Sequence, residues 1–290
     1  MKNCIVGDGA ILFDISQIVC LPPAHFGCAA LPLPGGKEAA FTVAVGNESG
    51  GRAILPFPGM SAQDAHLWSV YRERAALMKK MAAMAGEASR KACASVCTIG
   101  TGAVIMHGGI MRNVHIGPYA RVSGAALLDE VTVLSSREAP AEIGERASLE
   151  RGIVGKGCRV LHGARAADFF LGDYATLTDG ARFFHGFLGS NGTIACCEVQ
   201  HALLLPFHEQ HHNNSFLIAV TIGGMSNIAA GATIGSNHNS RAADGEIAAG
   251  RGFWPGLCVS LKHTSRFASF TLIAKGSYPY EMDIRLPFSL

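Results

Sequence analysis

The chain has 290 residues, a formal charge of +2, 16% charged and 49% hydrophobic residues, and 35 glycines. So small a charge on scattered lysines and arginines argues against nucleic acid as a partner, no apolar run reaches the roughly eighteen residues of a membrane span, and Met1 to Phe13 lacks the basic-then-apolar order of a secretion signal. A soluble, cytoplasmic protein is expected, and nine cysteines without a disulfide-framework spacing agree with a reducing compartment.

Residues 1–60 read as an N-terminal β segment. It opens with Ile5-Val6-Gly7-Asp8-Gly9-Ala10-Ile11, a partial coil, and Pro22, Pro23, Pro32 and Pro34 mark loops. Residues 61–92 read as one α-helix. Ser61 is its N-cap with Asp64 three residues on, and Leu67, Tyr71, Met78, Met81 and Ala85 fall on one face. The helix is expected along the flank of the β region or as a plug at its end.

Residues 93–240 carry the strongest pattern. Val104, Ile110, Ile116, Val122, Leu128 and Leu134 stand six apart, a period of neither a helix nor a simple strand. Around them recurs the phrase aliphatic-Gly-x-x-small-x-aliphatic, as in Ile116-Gly117 with Ala120, Val154-Gly155 with Cys158, and Leu171-Gly172 with Ala175. Strand side chains alternate faces, so each small residue shares the interior with the aliphatic residue two positions later. Glycine suits corners where the chain turns sharply or takes positive φ. Three such sides predict a coil of about eighteen residues, stacked on its neighbours as parallel strands. Ser135 to Glu142 break the period and should bulge outward, and Cys196 to Phe216 break it more seriously. From residue 241 the hexads stop, so 241–290 is expected as a non-repeating β cap. The four segments are expected to form one structural domain.

These phrases resemble the hexapeptide repeat of left-handed parallel β-helix proteins, the UDP-N-acetylglucosamine acyltransferase-like superfamily, and the left hand is implied by that resemblance alone. Asn47 to Arg52, Ser61 to Ala65, Glu138-Ala139-Pro140, His211 to Ser215 and Ser236-Asn237-His238 are similar to an uncharacterised bacterial family of hexapeptide-repeat proteins. The fold class expected is mainly β: a left-handed parallel β-helix with one inserted α-helix and a β cap. The resemblance further implies a homotrimer.

Seven of the twelve histidines lie from His185 onward, several of them in the irregular stretch with Glu209, Gln210, Asn213, Asn214 and Ser215. Polar groups of this kind belong on a loop leaving the scaffold. The resemblance implies acyl transfer from a coenzyme A thioester to a hydroxyl or amine of a sugar or nucleotide-sugar. A histidine would act as general base, since a neutral imidazole accepts that proton at physiological pH. His212 is the first candidate and His211 the second. Asn214, Ser215, Asn237, His238 and Arg52 are candidates for substrate binding, and Lys262 and Arg266 for the phosphates of coenzyme A. Each has a structural competitor: a surface histidine, an asparagine in a turn, a solvated cation. Two other classes stay open: a non-catalytic assembly or ligand-binding scaffold, and a γ-carbonic-anhydrase-like zinc enzyme using His208, His211 or His212, and His238. No metal is expected on the first reading.

Overall fold

Three interior ladders of side chains run the length of the molecule. The computed structural model describes residues 1–22, 24–28, 41–47, 52–92, 96–236 and 245–290. In these residues 22 strands join into one sheet wound through successive coils, and every pairing within it is parallel. One ladder stacks Ile99, Ile116, Val133, Val154, Leu171, Leu188, Leu204 and Ile222 in register. A second stacks Ile105, Val122, Ile143, Val160, Leu177 and Ile194. The third runs through Met111, Leu128, Leu149, Ala166, Phe183, Val199 and Leu217. All are buried, and each large aliphatic contributes on the order of 1.5–3 kcal/mol.

The step along one coil is therefore not uniform. Interior positions run 99, 105, 111, 116, 122, 128 and 133, two steps of six and one of five, so equivalent residues such as Arg112 and Asp129 stand 17 apart. The sixfold ladder drifts off the core by one residue. Ile116, Val122 and Leu128 lie inside, but Val104 and Leu134 are half-buried and Ile110 is exposed. The short side has its cause at the third corner, where Asn113, Glu130, Arg151, Asp168, His185 and His201 hold a left-handed backbone, φ 46° to 55°. Ladder pairing skips these residues, and the strand bends there.

The recurrent glycines serve close approach rather than positive φ. A Cβ at Gly155 or Gly172 would lie 2.7 Å or 2.6 Å from the next coil's backbone nitrogen, at Asp173 or Ser190. The left-handed residues stand two positions later, at Gly157 and Tyr174.

Ser135 to Glu142 do bulge outward. Arg137 and Glu138 reach solvent, and the Ala141 N–H donates to Ser135 Oγ across the neck at 3.0 Å. Cys196 to Phe216, in contrast, stay in the stack: Glu198–Leu204, Glu209–Gln210 and Phe216–Ile222 all pair in parallel. The stretch reads as broken because His208 occupies the interior position held by Ala175 and Gly192 in the preceding coils, and Gln210 takes an aliphatic position of the second ladder. Beyond residue 245 the stack also continues, through Ile247–Ala249, Arg266–Phe267 and Asp283–Ile284 on one side and Ser260–Lys262 and Ser277–Tyr278 on another. Phe253, at the position small in earlier coils, stacks on Phe267 at 4.9 Å and conceals the repeat.

The helical segment is two helices, α1 (Ala62–Val70) and α2 (Ala75–Ala92). Ser61 caps α1 as expected: Asp64 N–H donates to Ser61 Oγ and the Ser61 N–H to Asp64 Oδ2. Arg72 donates to the Ser69 carbonyl and closes α1 at its other end. Residues 20–22, 24–28, 41–47 and 52–60 lie over the third corner as a strap. Leu21 N–H donates to Asn113 Oδ1, His25 and Phe26 N–H to Glu130 Oε2, and Gly46 N–H to the His201 carbonyl. The strap's hairpin pairs Val43–Ala44 with Ala53–Ile54, and α1 lies against it on the flank of the solenoid. No helix among the described residues is long and apolar enough to cross a membrane.

Candidate anion-binding groove

Between the strap and the later coils lies a groove of about 490 Å³. Its floor is a vertical column of outward residues in parallel register, Thr221, Ala248, Arg266 and Asp283. One wall is α1, which presents His66 and Val70 one turn apart. Arg52, immediately before the Ala53–Ile54 strand, Glu246 and Arg285 complete the polar lining. His66 also lines a neighbouring apolar chamber of about 420 Å³ with Ala62, Leu67, Leu205 and Pro206. The imidazole thus stands between a guanidinium-rich compartment and an apolar one.

The charges are unequally matched. Arg285 is held by Asp283 at 2.6 Å, and Arg52 by Glu246, Nη1 to Oε1, at 2.5 Å. No ion pair is formed by Arg266 among the described residues. The Arg52–Glu246 pair is largely buried, with side chains 21% and 13% exposed. Burial pushes the Glu246 carboxyl above the usual carboxylate range despite Arg52, Arg72 and Arg266 nearby, and pushes the Arg52 guanidinium down. Loss of hydration therefore outweighs the attraction within this pair. Thr221 approaches Glu246 and offsets part of the rise, though neither Thr221 Oγ1 nor Glu246 Oε2 completes a hydrogen bond of ordinary geometry. Glu246 Oε2 lies 2.8 Å from where a Cβ on Gly46 would stand, and Gly46 has φ +72°, so only glycine fits there.

Of the residues selected from sequence, Arg52 and Arg266 come together in this groove. Lys262 faces another side of the coil and pairs with Glu281 at 3.6 Å. His211 and His212 sit at an exposed turn, their rings 4.4 Å apart, with His211 Nδ1 3.4 Å from Glu209. Asn214 and Ser215 line a separate cleft of about 480 Å³ with Arg182, Cys196 and Glu198. Asn237 and His238 lie outside the described residues, as do residues 48–51.

The polar groups of this stretch divide: His211 to Asn214 form the exposed turn, whereas His208, Gln210 and Ser215 point into the scaffold. His208 and Gln210 are fully buried; His208 Nε2 lies 3.4 Å from Gln210 Oε1, Gln210 Nε2 donates to Ser215 Oγ at 3.1 Å, and Ser215 Oγ donates to the His212 carbonyl. Burial pushes the His208 imidazole down to about 4. No group of three or more His, Cys, Asp or Glu placed to hold a metal occurs among the described residues.

Sequence reasoning missed His66, Thr221 and Glu246. For His66 a signal existed: Ala62, His66 and Val70 recur every four residues on one helical face. Glu246 carries no local pattern, because its partner is almost two hundred residues upstream.

Fold and groove together define a parallel β-solenoid protein with a guanidinium-lined cleft on its flank. The chain belongs to the family described as domain of unknown function DUF4954, whose profile matches residues 1–290. It is 49% identical over 291 residues to an uncharacterised protein of Treponema pallidum (strain Nichols), a match covering 100% of this chain and 40% of that relative.

Proposed function

We propose that this protein is a cytoplasmic acyltransferase of the left-handed hexapeptide-repeat superfamily, working as a homotrimer. It moves an acyl group from a coenzyme A thioester to a hydroxyl or amine of a sugar or nucleotide-sugar. The observation that supports this reading is the meeting of Arg52, Arg266 and His66 in one groove, with His66 also lining a neighbouring apolar chamber. Guanidinium groups recognise phosphate by charge and paired hydrogen bonds, and an apolar chamber beside them suits an acyl chain. His66, rather than His212 or His211, is the base in this reading. It takes the acceptor's proton as the acceptor oxygen or nitrogen bonds to the carbonyl carbon. The carbon–sulfur bond breaks, and the proton passes to the departing thiolate.

Thiol release from acetyl-coenzyme A with a panel of hydroxy and amino sugars tests it. His66→Gln should lower kcat by about 10² to 10⁴, and Arg266→Ala should mainly raise KM for the thioester. If His212→Gln abolishes turnover and His66→Gln does not, the reaction belongs to the turn at residues 211–215. If no sugar on the panel releases thiol, the non-catalytic scaffold is the better description.

A further inference from the structure

The groove holds a carboxylate where a ligand's anion would go. Glu246 is tethered beside Arg52 by the Ile247–Ala249 strand, is largely buried, and its Oε2 completes no hydrogen bond of ordinary geometry among the described residues. Arg266, on the same floor, forms no ion pair among the described residues. Arg72 and His66 face the same region, and Arg285 is neutralised by Asp283.

We infer that Glu246 is a built-in competitor for Arg52, so that the groove admits phosphate esters and diphosphates and rejects carboxylates. A tethered carboxylate acts at a local concentration on the order of millimolar or above, and a free carboxylate offers Arg52 nothing that Glu246 does not. A phosphate group carries about −1.5 to −2 charge and three acceptor oxygens, enough to engage Arg52 and Arg266 together. A displaced carboxylate is costly to keep buried as an ion, so on ligand binding Glu246 must turn out to water or take up a proton, and burial already raises its pKa in that direction. The inference rests on the groove being the ligand site, and it adds the ligand's chemical class and the residue that selects it.

Calorimetric titration of the full chain with inorganic pyrophosphate and with malonate tests it. The wild type should bind pyrophosphate at least about ten-fold more tightly than malonate, which is 1.4 kcal/mol. Glu246→Gln, close in shape, should bind pyrophosphate about ten-fold more tightly than the wild type and gain malonate binding. Glu246→Ala should do the same, and adding Arg52→Gln should remove the gain. Wild type and Glu246→Gln binding pyrophosphate equally would overturn the role of Glu246 while leaving the groove as a site. Binding of neither anion by either protein would overturn both, and wild-type preference for malonate would overturn the selectivity without recourse to any variant.

Discussion

Met111→Asp should unfold the protein, and Ile110→Asp, one residue away, should leave it folded. Met111 is 1% exposed in the third interior ladder, stacked between Ile18 and Leu128, whereas Ile110 is 44% exposed on the outer face. An aspartate at 111 gives up the burial of a large side chain and places a carboxylate among aliphatic neighbours with no partner. The two costs together exceed about 4–5 kcal/mol, a large share of the roughly 5–15 kcal/mol that holds a typical domain together. At 110 the new carboxylate meets water, and a change within about 1 kcal/mol is expected. Urea denaturation followed by circular dichroism distinguishes these outcomes. The reverse order, with Ile110→Asp the damaging change, would restore the uniform sixfold ladder and eighteen-residue coil in place of the seventeen-residue one.

The second large effect belongs to the polar island inside the prism. His208 is fully buried where earlier coils place Ala175 and Gly192, and burial lowers its pKa from 6.5 to about 4. The unfolded chain takes up a proton below about pH 6.5, but the folded chain does so only near pH 4. Between these values the unfolded state binds more protons, so stability falls as pH falls. His208 accordingly contributes a stability term that is complete above about pH 6.5 and declines by about 3 kcal/mol on the way to pH 4. The term is isolated by His208→Leu, which removes the titrating group. The unfolding free energy of the wild type minus that of the variant should drop by that amount over the window. A difference independent of pH would show the imidazole already paired or hydrated in the folded protein.

What was legible in the sequence is what repeats locally. Small-then-aliphatic pairs such as Ala120–Val122 and Cys158–Val160 fix the strand faces, and each lies inside. Ser61 with Asp64 marked the start of α1 correctly, because a capping box is complete within four residues. The interior step of five was not legible, since it depends on corner residues as different as Asn113, Arg151 and His185 sharing a left-handed backbone that no common side chain announces. The same limit explains His208 and Gln210. Polar residues in an irregular stretch suggest a loop, yet here they satisfy part of each other's hydrogen-bonding capacity within the core. The continuation beyond residue 245 is not legible because Phe253 and Phe267 replace the small-and-aliphatic phrase by stacking aromatic rings. The groove was half legible: Arg52 and Arg266 stood out as cations for an anionic ligand, but only the coiling of the chain brings them together with His66 and Glu246.

The groove's role is tested most directly by a crystal of the protein soaked with acetyl-coenzyme A. The account predicts density for the phosphates against Arg52 and Arg266, with Glu246 turned away from Arg52 and the thioester beside His66. Density beside His211 and His212, or in the cleft lined by Asn214 and Ser215, with the Arg52–Glu246 pair intact would contradict it.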